Sequence, residues 1–130
     1  MARSASVGPY TVTLGTTAVP AGRPQSVDIT VLEDGRPASD LVTYLGAAAH
    51  AVLINVQDLS YVHVHPSVRG AAESTNMTMS PGMHMDMSGS AGPLMQMKLP
   101  SLPVGFYRLW LEFRGAGGKV FTAPFTLLAR

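Results

Sequence analysis

Hydrophobic and polar residues alternate through most of this chain, with the two-residue period of a strand rather than the 3.6-residue period of a helix. In residues 10–14 the alternation puts Tyr10, Val12 and Leu14 on one face, and in residues 26–32 it gathers Val27, Ile29 and Val31. Residues 106–114 show it most cleanly, with Tyr107, Leu109, Leu111 and Phe113 inward and Arg108, Glu112 and Arg114 toward water. Trp110 falls in the outward set, where an indole implies a covered patch, an interface or an aromatic wall near the site. Residues 50–56 are apolar on both faces, as a central strand is. Residues 61–65, 94–99 and 120–128 complete the set, the last carrying Pro124, which confines it to an edge or a bulge.

The connections agree with this reading. Residues 15–23 are rich in Thr, Gly and Pro, Asp34-Gly35 followed by Pro37 closes the second strand, and residues 57–60 join two strand-like stretches as a hairpin. Gly115-Ala116-Gly117-Gly118 is a hairpin turn signal. Ser39-Asp40 ahead of Leu41, Tyr44 and Leu45 predicts one short capped helical turn ending at Gly46. Pro103-Val104-Gly105-Phe106-Tyr107 fits a tyrosine corner, in which a Tyr near the start of a late strand bonds back to the preceding connection. About seven short strands without an architectural helix predict an all-β fold, an antiparallel β-sandwich of immunoglobulin-like or cupredoxin-like form. At 130 residues, the chain is expected to be a single domain, 1–130.

The pattern breaks between residues 66 and 93, a stretch longer than the usual loop of a compact domain and therefore expected to be functional or disordered. It holds Met77, Met79, Met83, Met85 and Met87 around His84, in a frame of Ser, Pro and Gly, and Met95 and Met97 follow at once. Thioether sulfur is a soft, uncharged donor, so Met clustered with His favours monovalent copper or silver over hard cations. Met is also a flexible filler of cores and greasy surfaces. The Ser, Gly and Pro around it bury little, which favours the ligand reading.

Composition narrows the choices. There is no cysteine, which excludes disulfides, thiolate zinc sites, the blue-copper thiolate and cysteine nucleophiles, so a copper site must rest on His and Met. Such ligands survive an oxidising compartment. A net charge of +1 with 13% charged residues supplies no basic stripe for nucleic acid. Residues 1–7 include Arg3 with no apolar run behind it, so neither a signal peptide nor a membrane span is read here, and export would need a leader outside this sequence.

His63 and His65, in Tyr61-Val62-His63-Val64-His65-Pro66, are two apart on a strand and project from one face, able to grip an ion together. A pair of surface or satisfied imidazoles is the plainer alternative. Whether His50 joins them depends on hairpin parity, because a one-residue slip turns every side chain to the other face. A connection with an even number of residues brings His50 to the face of His63 and His65, and an odd one does not.

The words Leu41-Val42-Thr43-Tyr44-Leu45-Gly46-Ala47 then His50, Asp58-Leu59-Ser60-Tyr61-Val62-His63-Val64-His65-Pro66, and Gly105-Phe106-Tyr107-Arg108-Leu109 resemble the small extracytoplasmic immunoglobulin-like domains of bacteria of YtkA-like form, linked to heavy-metal handling. The resemblance runs from about residue 27 onward. It implies export, a sandwich fold and copper, with His50, His63 and His65 at the family's histidine positions. The Met-rich stretch is similar in chemistry to the loops of CopC-type periplasmic copper carriers. Residue 1 here is Met, not the N-terminal His of those carriers, so their divalent-copper site does not transfer.

The expected function is therefore a non-enzymatic, extracytoplasmic copper-binding protein, periplasmic, secreted or membrane-tethered. It would sequester copper or deliver it to or from a partner protein. The expected ligands are His50, His63, His65, Met83, His84, Met85, Met87, Met95 and Met97, with monovalent copper favoured and divalent copper within reach of the imidazoles. A structural or interaction module with incidental histidines is the alternative. A zinc enzyme built on three His ranks below both, because no paired acid for base chemistry and no Ser/His/Asp grouping is recognisable.

Overall fold

In the structure, a computed structural model that describes residues 1–69 and 92–130, each expected strand forms. The stretch that carries Met77, Met79, Met83, His84, Met85 and Met87 lies outside the described residues. The strands are β1 (Ser4–Val7), β2 (Tyr10–Leu14), β3 (Ala18–Val19), β4 (Gln25–Glu33), β5 (Arg36–Pro37), β6 (His50–Asn55), β7 (Tyr61–Val64), β8 (Ser67–Val68), β9 (Leu94–Leu99), β10 (Gly105–Arg114) and β11 (Val120–Ala129). Four of these, the short β1, β3, β5 and β8, are additions to the expected seven. Each is two to four residues long, too brief for alternation to announce it.

The strands form two sheets, one ordered β1-β2-β4-β9-β8 with β5 also on β4, the other β3-β11-β10-β6-β7. All pairings are antiparallel except that of β3 with β11. The sheets face each other across Val12, Leu14, Val27, Ile29 and Val31 from one and Leu53, Leu109, Leu111, Phe113 and Leu127 from the other, all buried. Burial alternates along β2, β10 and β11 because successive side chains leave opposite faces of a strand, and the apolar set goes inward. Tyr10 closes one end, its ring edge-on to Phe113 and Phe121 at 5.3 and 5.0 Å. The tyrosine corner is present, the Tyr107 hydroxyl donating to the Pro103 carbonyl at 2.8 Å.

One expectation fails and another holds. Residues 39–46 make no helical turn. Tyr44 and Ala47 instead exchange both backbone hydrogen bonds around Leu45 and Gly46, whose φ values of 53° and 82° are those of a tight left-handed turn. Gly46 favours that turn, and an i, i+3 pair of apolar residues within it does not suffice for a helix. Pro124 sits opposite Trp110 of β10, while β3 reaches only Leu128 and Ala129. At Pro124, β11 is therefore an edge strand, as a residue without an N–H requires.

Candidate metal centre

The β6–β7 hairpin sets the histidines. Its register pairs Ala51 with Val64, Val52 with His63, Leu53 with Val62 and Ile54 with Tyr61. Paired numbers of opposite parity mean an even connection, so His50 and His63 share a face, and the register carried one step further sets His50 against His65. Ala51 and Leu53 fill the core, which turns His50, Val52 and Ile54 to the outer face of the sheet. Asn55 shapes the connection: its side-chain oxygen accepts from the backbone N–H groups of Gln57 and Asp58 at 2.8 and 3.2 Å. Asp58 then accepts from the hydroxyl and the N–H of Ser60 at 2.7 and 2.9 Å, and these two bonds hold its carboxyl below the ordinary range.

The result is a triad. One ring nitrogen from each of His50, His63 and His65 lies within 4.8 Å of the other two. His50 Nδ1 and His63 Nε2 are 3.3 Å apart, and the rings of His50 and His65 stand 4.5 Å apart, edge to face. His50 is 8% exposed, whereas His63 and His65 are open to solvent. Burial of His50 comes partly from Tyr44, whose ring lies edge-on at 5.3 Å and carries the Arg114 guanidinium 5.2 Å above it. Three imidazoles converging at a solvent-facing rim have the donor atoms to hold a metal ion, and a four-coordinate ion there would keep a position for a further group.

The methionines divide. Met83, His84, Met85 and Met87 lie outside the described residues. Met95 and Met97 are a correction to the expected ligand set. They lie on β9 opposite Ile29 and Val27, completely buried between the sheets, while the histidines project from the outer face of the other sheet. Strand alternation is the reason: in Leu94-Met95-Gln96-Met97-Lys98-Leu99 the two thioethers fall on the inward face, where they act as core filling.

Of two outer-face neighbours on β10, only Trp110 is expected from the sequence near the site, as an aromatic wall. Glu112 of β10 is the register partner of His50 and points to the same outer face, partly buried, with no ion-pair partner among the described residues. Trp110 is the partner of Val52, which in turn faces His63, so the indole stands two strands from His63 in one cross-strand row and one strand from the strand of His50, with the Arg108 guanidinium 5.9 Å over its ring. Both placements follow from the non-local pairing of β6 with β10, which no local sequence signal announces.

Neither any curated protein nor any solved structure matches the chain. The family model of a domain of unknown function, DUF8832, matches residues 5–130, and the chain belongs to that family.

Proposed function

We propose that this DUF8832 chain is a copper-binding protein of an extracytoplasmic compartment, which takes the ion on a platform of His50, His63 and His65 and sequesters it or passes it on without catalysing a reaction. The observation that carries this reading is the convergence of three imidazoles within 4.8 Å at one rim. Thioether chemistry supports copper among the candidate ions, since Met77, Met79, Met83, Met85 and Met87 follow the platform closely in sequence. The lack of cysteine and the YtkA-like words around the histidines support the compartment. Two exposed ligands beside a buried one favour exchange, because an ion can be released one imidazole at a time.

The test is titration of the metal-free chain with monovalent copper under reducing conditions and with divalent copper in air. Bound ions are counted by native mass spectrometry and affinity is read by chelator competition. The chain should retain copper, and the double variant His63→Ala/His65→Ala should lose the tightest ion with its melting temperature nearly unchanged, since both side chains are exposed. Absence of bound copper, or unchanged affinity in the double variant, would overturn the reading.

A further inference from the structure

Among the described residues, hydrogen bonds engage both ring nitrogens of His50, one of His63 and neither of His65. His50 Nε2 stands 2.9 Å from the Tyr44 carbonyl oxygen. A carbonyl oxygen can only accept, so Nε2 carries the ring proton and Nδ1 of the neutral ring is left with its lone pair. That lone pair faces His63 Nε2 across 3.3 Å. Two nitrogens bound at about 2.0–2.1 Å to a tetrahedral ion stand about 3.3–3.4 Å apart, so this pair is already spaced as one edge of a coordination tetrahedron.

We infer that the ion is taken through Nδ1 of His50 and Nε2 of His63, and that the Leu45–Gly46 turn is the positioning device that fixes His50 in the tautomer and orientation this requires. The inference rests on the copper platform proposed above. The Tyr44 carbonyl accepts twice, from the Ala47 N–H at 3.2 Å and from His50, using both of its lone pairs. The turn behind it is specific: Tyr44 N–H donates to Ala47 at 2.8 Å, and both central residues lie at positive φ. Leu45 holds that conformation although it has a side chain and is 71% exposed, so local packing does not impose it. A bridge from Val42 to Arg114 and the Arg114 guanidinium over the Tyr44 ring tie the turn to β10. A backbone acceptor on the far nitrogen of a metal-bound imidazole fixes the ring and raises its basicity.

The experiment is two-dimensional ring-nitrogen NMR of the full chain labelled at histidine, at a pH of about 8, where unperturbed imidazole is neutral. The chain is studied metal-free and loaded with monovalent copper, which is diamagnetic. The expected spectra show His50 as the Nε2–H tautomer in both states, with its Nδ1 resonance shifted on loading. Gly46→Val puts a β-branched side chain at φ +82°, and should weaken copper about 10- to 100-fold, the usual loss for an orienting partner, while mixing the His50 tautomers. Leu45→Gly, which accepts the same φ without strain, should keep the tautomer and an affinity within about twofold. Copper on Nε2 of His50, an Nδ1–H tautomer in the metal-free chain, or a Gly46→Val variant with unchanged tautomer and affinity overturns the inference and leaves the platform standing. A chain that binds no copper overturns both.

Discussion

Replacing Met95 separates a core residue from a ligand. Met95 is completely buried, opposite Ile29 in the sheet and facing the second sheet. Met95→Ala removes three heavy atoms, each close to a methylene in apolar character. At about 0.8 kcal/mol per buried methylene, the lost transfer energy is about 2.4 kcal/mol. The cavity left in a sheet–sheet interface collapses only in part, which raises the expected loss to about 3–4 kcal/mol, within the range seen for Met-to-Ala changes in cores. For a chain of this length 1 kcal/mol corresponds to about 4 °C, so the melting temperature should fall by about 12–16 °C. Met95→Leu conserves volume and should cost less than about 1.5 kcal/mol. Thermal denaturation and chelator competition with monovalent copper are measured on the same samples. Core filling predicts lost stability in the Ala variant, retained stability in the Leu variant and wild-type copper affinity in both at a temperature where each is folded. A Leu variant as stable as wild type but weakened toward copper would refute the reasoning, because only a lost sulfur ligand produces that combination.

Changing Met83, Met85 and Met87 together to Leu should weaken monovalent copper far more than divalent copper, since thioethers favour the soft ion and imidazoles hold the harder one unaided; equal losses, or none, in paired competition titrations would remove the Met-rich stretch from the site. Asp58 supplies a pH test. Its folded pKa is lowered by the Ser60 hydroxyl and N–H, so its contribution is fully present above the unfolded value of about 3.9 and is lost as pH falls through the folded one. Ser60→Ala should therefore lower the urea midpoint at pH 7, with a gap from wild type that narrows in acid, and a gap independent of pH would contradict the assignment.

What could be read in the sequence was what depends on neighbours along the chain. Alternation located Tyr10, Val12 and Leu14 inward, and the phrase around Tyr107 located its hydroxyl bond to Pro103, because both follow from the period of a strand and a local turn. His63 and His65 shared a face for the same reason, and parity stated the condition for His50 that the register meets. The errors lay where two local signals competed or where the decisive contact was remote. Leu41, Tyr44 and Leu45 matched a helical spacing, yet Leu45-Gly46 formed a tight turn whose carbonyl holds His50. Met95 and Met97 shared the chemistry of the stretch before them but obeyed the alternation of their own strand. Glu112 could be placed outward but not beside His50, since that pairing spans two strands far apart in sequence.

The even register of the β6–β7 hairpin has a consequence for reading relatives of this chain. Two family members with identical histidines at these three positions, differing by a single inserted or deleted residue between Asn55 and Tyr61, would present those histidines on opposite faces of a sheet, one set gathered and the other divided. Histidine count is then a poor marker of inherited metal binding, and the length of a connection that touches no ion is a better one. A deletion there would divide the proposed site with all three histidines retained, and a second compensating change of one residue in the same connection would restore it.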